Sequence, residues 1–504
     1  MRLPKQPMLR PVVAVLAALA LLLVTPALAV DAPRAQAPAG LPGTPVGRRA
    51  AALLQAFNEG NGRAMRAFIQ EHYAKAALAQ RPAEQHVGTY GELWMDTEGL
   101  TLQKVESASE RTLILVARDK LAGDSVRLQI DVEAKPPHGI TAVKVQPLAL
   151  PAGDSGRPLT DEEVARVTRA YVEKLAAADA FSGTVLIARG DTLVYQGAFG
   201  LASRGFQVPN RLDTKFNLGS MNKMFTAVAI AQLVEAGKLS FQDKVGKLLP
   251  DYPNKAVAEK VTVHQLLTHT SGLGSFFNEK YEAADKSRLR DVKDFLPLFV
   301  DEPLEFEPGA RWRYSNSGFL LLGALIEKAS GQSYFDYVRE HIYKPAGMTN
   351  SDCYELDREP QNLAVGYTRQ GPGGQQSPKR DWNNLFLHVV KGGPAGGGYS
   401  TVEDLWRFSQ ALQGNKLLGA KATQFVMTGK AQPNPEDKDS RYAYGFFDEQ
   451  VRGARIIGHG GGFSGINSQL DIYPGKGYTV VVMSNYDPPS AGRVAERIRK
   501  LLLR

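Results

Sequence analysis

The sequence predicts an α+β protein: an antiparallel sheet flanked by helices, with a helical subdomain beside it, preceded by a small α+β domain. Three observations point there. Strand-like segments bounded by turns stand at both ends of residues 161–504. A long stretch of helical periodicity lies between them. Ahead of both, residues 47–148 run from helical spacing into alternating strands, the layer pattern of an α+β unit. The chain has 504 residues, more than one ordinary domain accommodates.

Taken in order, residues 1–29 read as a secretory signal peptide. Arg2, Lys5 and Arg10 precede the apolar run Val12 to Val24, and Ala27-Leu28-Ala29 offers the small residues of a cleavage site. The run is too short for a comfortable membrane span, and no later stretch is long enough. An exported protein, periplasmic or secreted, with no stable membrane span after signal removal is the expectation. Residues 30–46, rich in Ala, Pro and Gly, read as a linker. In the small domain, Leu53, Leu54 and Phe57 mark one helix, and Met65, Phe68, Ile69 and Tyr73 a second. Leu113, Leu115 and Ala117 then alternate, as do Val126, Leu128, Ile130 and Val132, with Val143 and Val145 suggesting one more strand. Residues 149–160 carry Pro151, Gly153, Gly156 and Pro158 and read as a second linker. The large domain, 161–504, opens with a helix from Val164 to Ala177. The strands Ser182 to Arg189 and Thr192 to Gly197 follow, turning at Gly190-Asp191. It closes with strands Ser468 to Tyr473 and Tyr478 to Ser484, then an amphipathic helix bearing Val494, Ile498 and Leu501.

Composition narrows the function. Hydrophobic residues make up 43% of the chain and charged residues 22%, ordinary for a globular protein. The net charge of +8 is spread out, with no long basic run interleaved with aromatics, so nucleic acid is not an expected partner. A small-molecule or peptide substrate is. The single cysteine, Cys353, excludes an intrachain disulfide and a Cys-based zinc site and reads as a packing residue. Nothing in the sequence fixes the oligomeric state.

Three polar motifs remain. Ser220-Met221-Asn222-Lys223 is an S-x-x-K tetrad at the head of an apolar helix (Phe225, Val228, Ala229, Leu233) that Gly237 ends. Spacing of three places Ser220 and Lys223 on one helical face. The helix N-terminus favours a developing alkoxide, and burial favours a neutral lysine able to take the serine proton. Taken alone, the tetrad also fits a helix-capping serine with an exposed lysine. Tyr314-Ser315-Asn316 precedes the apolar helix Phe319 to Ile326; a phenol can relay protons and an amide can hold a substrate, though the same residues make a common helix cap. His459-Gly460-Gly461-Gly462 sits ahead of a strand, where glycines let a substrate lie against the backbone. The N–H groups of Ser220 and Gly462 are candidates for an oxyanion hole. The bland reading is a glycine-rich turn.

Together, in this order, the motifs resemble those of penicillin-recognising serine enzymes, in the branch holding class C β-lactamases, D,D-peptidases, D-amino-acid peptidases and esterases. Val263 to Leu273 (VHQLLTHTSGL), Tyr314 to Gly331, Pro345 to Met348 and Gly396 to Thr401 extend the resemblance over most of residues 161–504. It implies an acyl-enzyme serine hydrolase with Ser220 as nucleophile and Lys223 and Tyr314 sharing acid–base work. Asn316, His459 and Gly461 would contact the substrate, and no metal or other cofactor is implied. Which of Lys223 and Tyr314 is the acylation base stays open. Histidine at 459 replaces the lysine usual in β-lactamases of this branch, and a mostly neutral imidazole holds a substrate carboxylate less firmly. That shifts the expectation from penicillin hydrolysis towards an ester or D-amino-acid amide; a catalytically silent peptide-binding protein is the alternative. The small domain resembles nuclear-transport-factor-like and cystatin-like domains, without a specific motif.

Overall fold

The computed structural model describes residues 40–120, 125–147, 157–358, 360–371, 375, 377 and 379–504. The signal-peptide reading, linker residues 30–39 and linker residues 149–156 lie outside them. Helix α1, Pro45–Asn58, starts two residues inside the expected linker. Thr44 caps it by accepting from the Gly47 N–H at 3.2 Å, and Pro45 needs no donor at the first helical position. Helices α2, Gly62–His72, and α3, Ala83–Thr97, follow. Then comes an antiparallel sheet in simple order: β1 Leu100–Ala108, β2 Thr112–Asp119, β3 Ser125–Val132 and β4 Ile140–Pro147. Leu113, Leu115, Ala117, Leu128 and Ile130 line its inner face and join Leu53, Leu54, Phe57 and Ile69 from the helices in a core of their own. The β1 strand and α3 carry weak periodicity and were not among the sequence expectations.

The large domain is built on seven antiparallel strands. In chain order these are β5 Gly183–Arg189, β6 Thr192–Phe199, β7 Ser440–Tyr442, β8 Phe447–Val451, β9 Ala454–Phe463, β10 Ile466–Tyr473 and β11 Tyr478–Ser484. They lie side by side as β7-β8-β9-β10-β11-β5-β6. The central strands are buried on both faces, and their side chains alternate between two cores. Val185, Ile187, Val480 and Val482 face helices α4 (Asp161–Ala177) and α8 (Ser490–Leu502). Leu186, Val481 and Met483 face the larger core beneath the helical region.

That larger core surrounds helix α5, Asn222–Glu235, of whose 14 residues eleven are buried. A helix apolar on all sides belongs inside a domain. Helix α6, Asn316–Ser330, packs against it and is also nearly all buried. Helix α7, Val402–Gln413, covers β11 and β5 on the same side. The α+β expectation holds for this domain, and the match to known folds reported below agrees.

Candidate active site

Ser220 stands in a single 3-10 turn, Gly219–Met221, that runs straight into α5. Three close approaches clamp this turn. The Leu218 carbonyl accepts from Ser468 Oγ at 2.8 Å. The Leu218 N–H donates to Gly398 O at 2.7 Å, and Gly397 N–H donates to Gly219 O at 3.1 Å. Gly219 has φ +50°, and a Cβ there would stand 2.9 Å from the Gly462 nitrogen. Strand β9 can therefore pass directly beside the serine turn only because Gly219 lacks a side chain. Asn222 does not face substrate space: its amide accepts from Gly398 N–H and donates to Cys353 Sγ, bracing the same segment. Cys353 is buried, which pushes its thiol up to about 12 and fits the packing role expected of it.

Lys223 lies one turn below Ser220 and is wholly buried. Its Nζ is 3.2 Å from Ser220 Oγ and 2.8 Å from Asn316 Oδ1, and it also contacts the Ala395 carbonyl. Each partner is neutral, and burial holds the amine well below its ordinary range. Tyr314 lays its ring 4.7 Å from Nζ, and its buried hydroxyl has no hydrogen-bond partner among the described residues. Burial raises that phenol far above its usual value, with Ser220 opposing the shift. Ser315 caps α6, accepting from Gly318 N–H at 2.9 Å. This turns Asn316 inward, where its Nδ2 donates to Ser275 Oγ at 3.3 Å.

Ser220, Tyr314, Asn316 and Gly462 line one cavity of about 240 Å³. Lys223 lies beneath it. His459 and Gly461 are not on its wall. Residues 459–462 are not a turn before a strand; they belong to β9 itself, paired to Asn467–Leu470 of β10. Glycine is a poor strand former, which hid the strand, but backbone crowding requires it here: a Cβ on Gly461 would meet Leu218 O at 2.0 Å. The His459 ring is buried behind the cavity wall, its centroid 6.4 Å from that of Tyr314. Its Nδ1–H donates to Gly460 O, so Nε2 accepts from Tyr442 Oη at 3.2 Å. Burial first, and the nearby lysine second, push this imidazole down to about 3.

One residue escaped the sequence reading. His269 adopts a left-handed backbone (φ +59°) and is fully buried. Its Nδ1 accepts from the Ser315 N–H at 3.0 Å, and its carbonyl accepts from Arg313 N–H at 2.8 Å. Its ring lies 4.3 Å from the Tyr314 ring and 4.6 Å from that of Tyr442. It thus holds the backbone and ring of the Tyr314 segment. Its place in the Val263–Leu273 stretch, which extends the resemblance, is the signal the sequence carries for it. Among the described residues, no group of three His, Cys, Asp or Glu side chains is placed to hold a metal ion.

Residues 167–504 match the family model described as Beta-lactamase. The chain is 31% identical over 320 residues to penicillin-binding protein 4* of Bacillus subtilis (strain 168), covering 62% of this chain and 70% of that protein. It is also 31% identical over 282 residues to esterase EstB of Burkholderia gladioli, covering 50% of this chain and 70% of that one. The solved structure of a penicillin binding protein from Bacillus halodurans superposes with a TM-score of 0.58 at 35% identity, over 65% of this chain and 98% of that one. The matched span contains all three motifs and the whole seven-stranded domain, and leaves out the small domain. On its own sequence and fold, the chain belongs to the β-lactamase family.

Proposed function

We propose that Ser220 is the acylated nucleophile of this serine hydrolase, and that Lys223 is the base that activates it. The observation that carries the reading is the set of contacts around Lys223 Nζ. A neutral amine has two N–H donors and one lone pair. The Asn316 and Ala395 oxygens can only accept, so they take both donors. The third position faces Ser220 Oγ at 3.2 Å: a charged amine donates there, and the neutral amine that burial favours turns its lone pair to the hydroxyl instead. Tyr314, its phenol raised by burial, is a proton donor near neutral pH and suits protonation of the leaving group. The N–H groups of Ser220 and Gly462 form the oxyanion hole, and Asn316 Nδ2 orients the substrate. His459 and Gly461 act from behind the wall, one beside Tyr314 and Tyr442, the other by keeping β9 close.

The substrate is an ester or a D-amino-acid-containing amide. Relatives named as an esterase and penicillin-binding proteins support that range. Export to the periplasm or medium is supported by the basic, apolar and Ala-Leu-Ala order of residues 1–29. No helix among the described residues is long and apolar enough to cross a membrane. Treatment with a fluorophosphonate, followed by peptide mass analysis, tests the nucleophile. An adduct on Ser220, absent from a folded Ser220→Ala variant, is expected; an adduct elsewhere, or none, contradicts the assignment.

A further inference from the structure

Resting on that reading, the cavity beside Ser220 carries information about what is attached to the scissile carbonyl. Beyond the reactive groups its wall is aromatic and aliphatic: Phe276, Phe277, Tyr281, Phe295, Leu320 and Phe463 all contribute. Among the described residues that line it there is no Lys, Arg, Asp or Glu. The imidazole on the wall is that of His388; burial holds it below its ordinary range, and its Nδ1 lies 3.0 Å from the Val389 carbonyl. That of His459 is buried behind the wall and hydrogen-bonded to Gly460 O and Tyr442 Oη.

The aromatic side chains form one connected surface. Phe276 packs edge-on against Tyr281 and Phe295 at 5.5 and 5.6 Å. Phe277 stacks across the cavity mouth on Phe463, with ring centroids 6.0 Å apart and planes 21° apart. Phe277 comes from the segment after the His269 turn and Phe463 from the end of β9, so two separate elements deliver this pair. Phe277 is 46% exposed. An exposed aromatic ring at a cavity mouth contributes little to the fold that holds it, whereas apolar walls with a few convergent polar groups are what small-molecule sites present.

We infer that the preferred substrate is a neutral ester or amide whose acyl group is aromatic-sized and apolar, received between the Phe277–Phe463 pair and the Phe276–Phe295 wall. The size agrees. An apolar cavity of about 150 Å³ accepts a benzene ring, and this one measures about 240 Å³, room for a ring on a short linker. A carboxylate or ammonium on the acyl group finds no fixed counter-charge among the described wall residues, only neutral polar groups such as His388 and Asn217, and loses its hydration there without an ion pair. In the reaction, the Ser220 oxygen bonds to the acyl carbon and the alkoxide leaves with a proton. Water then splits the acyl-enzyme, releasing the carboxylic acid, whose proton is the assay signal.

Ethyl esters keep the leaving group small and constant. Hydrolysis of ethyl acetate, ethyl butyrate, ethyl phenylacetate and monoethyl succinate by the full mature chain would be followed by proton release. The phenylacetate is expected to exceed the acetate in kcat/KM by about tenfold or more, and the charged succinate to fall below the acetate. Phe277→Ala is expected to shrink the phenylacetate-to-acetate ratio at least about fivefold, while Phe206→Ala, an exposed phenylalanine outside the cavity lining, leaves the ratio as it was. With a phosphonate adduct on Ser220 in the same preparation, a flat series, a preference for the succinate, or a ratio unmoved by Phe277→Ala overturns the acyl-group inference and leaves the serine assignment standing. Failure of both adduct and turnover removes the serine assignment, and the inference with it.

Discussion

Lys223 is the residue on which the chemistry turns, because a buried amine among neutral acceptors has nothing to hold its charge. The same physics acts on His459, with a consequence for stability. In the unfolded chain its imidazole takes a proton near 6.5; in the fold, burial and the lysine defer that to about 3. Between those values the unfolded state binds more protons, so stability falls as pH falls. The contribution is intact above pH 6.5 and is lost progressively below it, at up to about 1.4 kcal/mol per pH unit. Urea unfolding from pH 7 to 4.5 should show a shallower decline for His459→Gln than for the parent chain; parallel declines would contradict the assignment. Ser220 and Lys223 were legible as a pair because helix geometry puts residues three apart on one face, and Tyr314 and Asn316 because they flank a capping serine at the head of an apolar helix. The direction of the His459 ring was not legible. It is set by Tyr442 on another strand, a contact no local pattern encodes.

At the scale of elements, the site is an arrangement of close backbones. The Ser220 turn, strand β9 and the Gly393–Gly398 segment approach within van der Waals contact because glycines meet glycines. Gly461→Ala would drive a Cβ towards Leu218 O and Ser468 Oγ, at 2.0 and 2.5 Å, pushing β9 from the serine. Overpacking of this kind costs about 1–3 kcal/mol. Because the oxyanion-hole N–H of Gly462 moves with the strand, ester turnover should fall about a hundredfold or more. Gly475→Ala, with open space around it, serves as the control and should match the parent in both thermal midpoint and rate. Equal behaviour of the two variants would show that β9 need not lie so close. The glycine run also explains why β9 was missed while its neighbours β10 and β11, rich in Ile, Val and Tyr, were read directly.

Across the whole molecule, two packed units appear with separate cores, the smaller outside the family match and the larger carrying every candidate site residue. The apolar strand-like runs at both ends of the large domain announced its sheet, since strands buried on two faces are apolar throughout. What the sequence left open was the cavity, whose walls come from distant stretches, near residues 220, 277, 295, 316, 393 and 463. The central claim is that a neutral Lys223 deprotonates Ser220, and the pH dependence of phosphonate labelling at Ser220 tests it most directly. The rate should level off well below the ordinary lysine range. In a folded Lys223→Met variant it should drop by about 10²–10⁴-fold and lose that ionisation. A variant that labels at the parental rate, or a parental rate that rises only through the ordinary lysine range, would contradict the account.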